Sequence, residues 1–452
     1  MEEKNLLEQL EDLLQRRDSQ HLKLWLEDIH ANDVAELIDE LDQSKGAVLF
    51  RALPKEKAVD VFADLSPEAQ AHLINGFSDA EVSHMVEELF TDDAVDMVEE
   101  LPANVVTRVL QLATPETRNT INHYLQYPED SAGSIMTSEF IRLRKDMNVG
   151  EALEFIRENG EDKVTLYTLY ITTPDFRLEG VLSMRTLLLA PDETPIADLM
   201  QDVVISAYTT ADQEQIVHLF SDYDLLTLPV VDLEMRLVGI ITIDDVLDVS
   251  QEEATEDFER MAAMAPSEKP YLKTPVFEQA RNRFTWLLIL MISGMINGSI
   301  LERYEHAFLA IPVLVSFIPM LTDTGGNAGS QSSTMIIRGL ALDEIRFKDW
   351  FAVLWKELRI SLVVGIILAA VNFGRIYVMY DHNVAIASVV SLTLVAVVMM
   401  AKVLGSMLPL IAQKFKLDPA IMAAPLITTI VDASALIIFF QIAGLILNLS
   451  GK

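Results

Sequence analysis

The chain has 452 residues, no cysteine, and 68 acidic against 34 basic side chains, a formal net charge of −34 at pH 7, yet half of its residues are hydrophobic. That balance excludes both a disordered chain and a purely soluble one, and the lack of cysteine excludes disulfides and thiolate metal sites while allowing a reducing compartment. The charge is unevenly placed: from Tyr271 onward there are 11 acids and 14 bases, a net +3, which leaves −37 on the first 270 residues. A region so acidic repels nucleic acid and anionic lipid and attracts cations. The start, MEEKNLLEQL, has neither the basic nor the apolar segment of a signal peptide, so the acidic region is expected in the cytoplasm.

Residues 1–130 carry a twelve-residue repeat. Leu41, Leu53, Leu65, Phe77, Leu89 and Leu101 mark it, preceded by apolar pairs such as Leu37 and Ile38, Val61 and Phe62, or Met97 and Val98. Each unit reads as a short amphipathic helix, and stacked units make an all-α superhelix with a shared core. Ser66-Pro67-Glu68 and Ser78-Asp79-Ala80-Glu81 read as helix starts, with serine as the cap. Most acids here fall on the outer face, where solvation is their ordinary role.

Residues 131–250 change to β-branched runs alternating with helices, twice. The segment from Tyr170 to Ser183 parallels that from Pro229 to Thr242 at a constant offset of 59. This tandem α/β duplication resembles a pair of CBS domains, a kind of module that often binds adenosine nucleotides such as ATP. That resemblance marks Tyr170, Ser183, Arg185, Thr242 and Asp245 as candidate nucleotide contacts. Thr186 stands where the nucleotide-binding pattern has Asp, so the first repeat departs from it.

Residues 251–275 hold an acidic helix ending near Phe258 and a linker with Pro266, Pro270 and Pro275. Hydrophobic segments then follow at Phe284 to Leu301, Ala307 to Ile337, Phe351 to Tyr380, Val384 to Ala412 and Pro419 to Leu449, which gives residues 276–452 five expected crossings. Basic residues cluster before the first crossing (Lys273, Arg281, Arg283), between the second and third (Arg338, Arg346, Lys348), and between the fourth and fifth (Lys414, Lys416). Those loops are expected to face the cytoplasm with the amino terminus, leaving the carboxyl terminus outside.

The second crossing contains Thr322-Asp323-Thr324-Gly325-Gly326-Asn327-Ala328-Gly329-Ser330-Gln331, a polar, glycine-rich stretch expected to break the helix, and either to line water or to let helices approach closely. In the fifth crossing Pro425 is expected to free a backbone carbonyl before Asp432, with Thr428 and Thr429 adding hydroxyls. Asp432 itself stands in an apolar stretch. A charge at bilayer depth costs ~2.5 to 3.5 kcal/mol on insertion scales, so an acid there marks an ion pathway unless a cation pairs it; the candidates are Lys402 and Arg338.

In this order, the superhelix, duplicated module, acidic helix and crossings resemble the MgtE family of magnesium transporters and channels. The motifs that carry the resemblance are Gly325-Gly326-Asn327-x-Gly329-x-Gln331, the Asp432 helix, and Glu253-Ala254-Thr255-Glu256-Asp257. It implies a multidomain homodimer in the cytoplasmic membrane, with an all-α N domain, a tandem CBS pair, an acidic plug helix and a five-helix transmembrane domain. Asp432 from each subunit would face the ion, beside Asp323, Gly325, Gly326, Asn327, Gly329, Ser330, Ala424, Pro425 and Thr428. Members often have Asn before the pore proline; here that position is Ala424, with Ser330 or the Ala424 carbonyl as the substitute contact. Regulatory Mg²⁺ would bridge Asp60, Asp92 and Asp96, then Asp212, Glu214, Asp224, Asp245 and Asp248, then Glu253, Glu256 and Asp257, and so close the pore.

Two carboxylates opposite each other suit Mg²⁺, which holds its waters tightly at ~2.0 to 2.1 Å. Mn²⁺ or Co²⁺ is the alternative cargo, disfavoured by the lack of His and Cys near Asp432. A CBS-regulated anion channel is opposed by the intramembrane acid, and an aspartyl protease built on Asp323 and Asp432 would need a paired active-site geometry.

Overall fold

The structure, a computed structural model, describes residues 6–10, 12–13, 19–267, 271–272, 274–304, 311–422 and 424–447. The first five residues, Pro270 and Lys273 of the linker, and residues 307–310 of the second expected crossing lie outside the described residues. The chain forms two compact units, Met1–Ser250 and Gln251–Lys452.

The first unit opens with short helices: α1 (Ser19–Asp28), α2 (Ala31–Glu40), α3 (Gln43–Phe50), α4 (Lys55–Ala63), α5 (Pro67–Gly76), α6 (Asp79–Glu88), α7 (Thr91–Glu100), α8 (Ala103–Leu112) and α9 (Pro115–Tyr124). The apolar pair of each repeat is buried, from Leu37 and Ile38 through Val61 and Phe62 to Met97 and Val98. After the pair, the chain leaves the helix at an apolar residue in extended conformation, as at Leu41, Phe77, Leu89 and Leu101. Helices of this length are marginal alone, so the stacked core supplies their stability. Ser78 caps α6 in a reciprocal arrangement with Glu81. Ser66 makes no side-chain cap on α5, and its hydroxyl donates to Asp39 Oδ1 at 2.6 Å.

The duplicated module contains β1 (Arg142–Leu143), α10 (Val149–Asn159), β2 (Thr168–Thr172), β3 (Leu178–Ser183), α11 (Met184–Leu189) and α12 (Ile196–Leu199), then β4 (Ala207–Tyr208), α13 (Gln213–Tyr223), β5 (Thr227–Val231), β6 (Leu237–Thr242) and the long α14 (Ile243–Met261). Each repeat makes a three-stranded sheet with a parallel first pair and an antiparallel second pair. Thr168 pairs with Ser183 and Thr227 with Thr242, and the register shifts fall at Ile171/Thr172 and Val230/Val231, both at the 59-residue offset. The repeats also exchange equivalent hydrogen bonds: Leu178 N–H donates to Met235 O at 3.0 Å and Leu237 N–H to Phe176 O at 2.8 Å. A local two-fold relation follows. The superhelix core continues without interruption into the second repeat, through Leu228, Val230 and Ile241.

The second unit contains α15 (Val276–Arg303), α16 (Ile318–Ala341), α17 (Trp350–Met379), α18 (Val384–Lys414) and α19 (Ala424–Leu447). Among the described residues, four stretches are long and apolar enough to cross a membrane: Val276–Arg303, Phe347–Met379, Val384–Lys414 and Pro419–Leu447. The helix α16 has the length, 24 residues, but its polar middle lowers its hydropathy. Helix α18 is central, packed on α16, α17 and α19, and 56% of its apolar window is buried against none of that of α15. Helix α15 meets α19 and keeps most of its apolar window uncovered.

Phe62 is fully buried and meets Phe50 edge to face at 6.2 Å. Phe62→Ala is expected to destabilise the superhelix by about 3 to 5 kcal/mol, read from hydrogen exchange of its helical amides.

Candidate ion pathway and regulatory acids

The glycine-rich stretch does not break its helix: α16 is continuous from Ile318 to Ala341. The reason is the division of its residues between two faces. Gly325, Gly326, Ala328 and Gly329 are buried against α18 and α19. A Cβ on Gly325 would stand 2.6 Å from Val397 and 2.8 Å from Val431, one on Gly326 2.9 Å from Thr428, and one on Gly329 2.7 Å from Ile427. These glycines are a packing seam, so helices approach at backbone distance there. The opposite face carries Asp323, Asn327 and Gln331 exposed and Ser330 half-exposed, at helical spacing.

Asp432 lies on α19 among apolar neighbours and is half-buried. The carboxylates of Asp432 and Asp323 are near enough to repel. Among the described residues no cation reaches Asp432: Lys402 donates to Ser332 Oγ at 3.2 Å, and Arg338 is exposed near the end of α16. Pro425 frees no carbonyl, because it sits in the first turn of α19, where backbone N–H groups have no helical acceptor to lose. Its own carbonyl accepts from both Thr428 and Thr429 hydroxyls at 3.0 Å, which turns those hydroxyls back on the helix. Ala424 opens α19. Ser333 donates to Met422 O at 3.0 Å, tying α16 to the turn before α19.

In the first unit, Asp60, Asp92, Asp96, Asp245 and Asp248 share one electrostatic neighbourhood with Asp64 and Asp93. Burial pushes Asp92 well above the usual carboxylate range, with repulsion from Asp93 and Asp245 adding to it. Burial and neighbouring acids likewise raise Asp93 to about 7 and Asp96 to about 8. Beside them, burial also pushes on Glu139, but donors from Thr137, Thr91 and Ser138 outweigh it and hold this carboxyl below its ordinary value. Sequence reasoning passed over Asp64, Asp93 and Glu139. Asp64 is one helical turn after Asp60 and Asp93 adjoins Asp92, so spacing alone carried a signal for both; Glu139 carried none.

The other acids do not converge. Asp212 caps α13 and accepts from Glu214 N–H at 3.0 Å, whereas Asp224 stands past the far end of that helix with φ of 50°. In the second unit, Arg260 of α14 pairs with Glu256 and with Asp418. Burial raises Asp257 to about 6, with Asp418 and Glu253 adding repulsion. Among the described residues no group of three or more His, Asp or Glu side chains is drawn together as a ready-made metal cage.

The candidate nucleotide contacts are also divided. Ser183 and Arg185 line an open cleft of about 590 Å³ with Thr186 and Pro191. Tyr170 is fully buried and donates to Thr227 at 2.7 Å, and the Thr242 hydroxyl is spent on Asp245.

Family models match along the chain: the MgtE intracellular N domain at residues 29–130, CBS domains at 132–193 and 196–252, and the MgtE divalent cation transporter at 318–442. The magnesium transporter MgtE of Thermus thermophilus is 38% identical over 99% of this chain and 100% of its own length. The chain belongs to the MgtE family. The magnesium transporter MgtE of Bacillus subtilis is 35% identical over 71% of this chain and 70% of its own. Among solved structures, the cytosolic domain of the Mg²⁺ channel MgtE in complex with ATP is 40% identical, with a TM-score of 0.51 over 53% of this chain and 98% of that one. The soluble part of a magnesium transporter is 28% identical, with a TM-score of 0.53 over 56% and 99%. The MgtE assignment covers both units and the tandem CBS pair.

An acid whose pKa is raised by packing opposes that packing once it ionises, so the packed state gains stability as pH falls and loses it as pH rises from about 4 through the values of Asp93 and Asp96. Without divalent cations, the superhelix is expected to become more protease-resistant between pH 8 and pH 6. Asp96→Asn is expected to flatten that dependence, measured by limited proteolysis across the pH series.

Proposed function

We propose that this MgtE-family chain carries Mg²⁺ across the cytoplasmic membrane as a homodimer. The observation that carries the reading is the half-buried Asp432 on an apolar helix, with no cation in reach among the described residues, beside the uncovered polar face of α16. Two copies related by a two-fold axis place two Asp432 carboxylates about one path. Two negative charges balance a divalent ion without stripping its water, while Asn327, Ser330 and Asp323 read the hydration shell. Gly325, Gly326 and Gly329 then act by close packing, and Ala424, Pro425 and Thr428 by shaping the entry to α19.

The reading counts α16, the second in chain order, as a crossing beside the other four, with its polar face turned to water rather than lipid. Residues 1–130, 131–250, 251–275 and 276–452 serve as N domain, CBS pair, connecting helix and transmembrane domain. The amino terminus is cytoplasmic and the carboxyl terminus outside, in line with the placement of Lys and Arg. Relatives named magnesium transporters, one of them matched over 99% of this chain, support Mg²⁺ as the cargo.

The acids supply the gate. At low cytoplasmic Mg²⁺, Asp60, Asp92, Asp96, Asp245 and Asp248 repel one another and loosen the superhelix and CBS pair. Bound Mg²⁺, keeping most of its waters, screens them, which suits sites that lack a compact cage. By the family resemblance, Asp212, Glu214 and Asp224, and Glu253, Glu256 and Asp257 on the connecting helix, are further ligands, and closure and Mg²⁺ binding are reciprocally linked. The ATP-bound relative supports an adenosine nucleotide at the CBS pair, for which the Ser183 and Arg185 cleft is the open site here.

In proteoliposomes the parent chain is expected to give Mg²⁺ flux that falls as Mg²⁺ rises on the cytoplasmic side. Asp432→Ala is expected to abolish it and Asp432→Asn to weaken it. Unchanged uptake in Asp432→Ala would remove this carboxylate from the path.

A further inference from the structure

Three buried polar side chains on three helices meet away from Asp432. Lys402 of α18, Ser332 of α16 and Glu357 of α17 are 5%, 3% and 9% exposed. The Lys402 ammonium donates to Ser332 Oγ at 3.2 Å, and that hydroxyl donates to Glu357 Oε2 at 2.7 Å. The hydroxyl therefore links two opposite charges that do not touch directly. One turn away, a Cβ on Gly405 of α18 would collide with the backbone of Gly329, so α16 and α18 are at their closest beside this relay.

We propose that the Lys402–Ser332–Glu357 relay is a positioning device that fixes the rotation of α16 about its axis, and through it the aim of Asp323, Asn327 and Gln331. The argument is geometric. The seam of glycines and Ala328 offers contact alone and excludes larger side chains, and the relay adds a directed polar constraint on that rotation. Ser332 and Ser333 lie on the same buried side of α16 as the seam, Ser332 held by the relay and Ser333 by Met422 O. The polar stripe lies opposite. If α16 turned by one residue, about 100°, Ser332 would leave both partners, and a buried ammonium and a buried carboxylate would each stand alone. Unpaired charges at such a site are strongly disfavoured, so the relay gives the helix one orientation. Lys402 thus acts through Ser332 on the polar face, and does not itself reach Asp432.

The proposal rests on the transport reading for the use of that face, but its test does not. The chain contains no cysteine, so Asn327→Cys and Ala328→Cys each introduce one thiol, the first on the exposed face and the second in the seam. In the purified full-length protein in liposomes, Asn327→Cys is expected to react with a charged methanethiosulfonate reagent at least about tenfold faster than Ala328→Cys. Adding Ser332→Ala, which removes one oxygen and preserves packing, or Lys402→Met is expected to shrink this contrast to about threefold or less, whereas Ser332→Thr keeps the hydroxyl and the contrast. The ratio of Mg²⁺ to Ca²⁺ flux is expected to fall with it. Undiminished thiol contrast in both Ser332→Ala and Lys402→Met overturns the proposal. Loss of contrast in those variants, with a parent chain that moves no Mg²⁺, upholds the relay and removes the transport reading instead.

Discussion

Carboxylates held where water cannot fully solvate them, with too few cations nearby, constrain both units of this protein. In the first unit Asp92, Asp93, Asp96 and Asp245 repel one another while buried. In the second, Asp432 sits half-buried on an apolar helix and feels Asp323. Such groups raise the energy of the protein alone and lower it when a cation arrives, so the arrangement is costly for stability and suited to an ion. In the proposed reading, Mg²⁺, compact and reluctant to lose water, answers both situations with the same chemistry.

The cost is offset by apolar packing that needs no ion. The superhelix draws on its repeated buried pairs and continues its core into the second CBS repeat. The membrane-type unit draws on the glycine seam between α16, α18 and α19, where helices meet almost at their backbones. Charged groups in these scaffolds divide into two kinds. Glu139 and the Lys402–Ser332–Glu357 relay are satisfied by donors and partners and hold structure in place. Asp432 and the Asp92 to Asp96 group have no cation paired with them among the described residues, and Asp92 accepts only the Asp93 N–H. Position on a helix does not separate the kinds; the number of donors around each oxygen does.

Arg260 joins the connecting helix to Asp418, six residues before α19 begins. This places a cation–carboxylate pair between the end of α14 and the turn that precedes the Asp432 helix. Asp257, raised by burial and by the same Asp418, stands beside it. Attraction from Arg260 and repulsion from Asp257 act on one carboxylate.

The sequence alone determined the twelve-residue superhelical period, the tandem duplication with its offset of 59, and the isolation of Asp432 within an apolar run. Periodicity and charge placement are local properties, written directly in residue spacing. The tertiary structure alone decided which side of Asp323 to Gln331 packs and which stays open, that Thr428 and Thr429 turn back to Pro425, and that Lys402 belongs to Ser332 and Glu357 rather than Asp432. Those outcomes depend on which surfaces α17, α18 and α19 present to α16. A linear pattern specifies that a helix has a small-residue face and a polar face, but only the neighbours' shapes and donors determine which of them is covered.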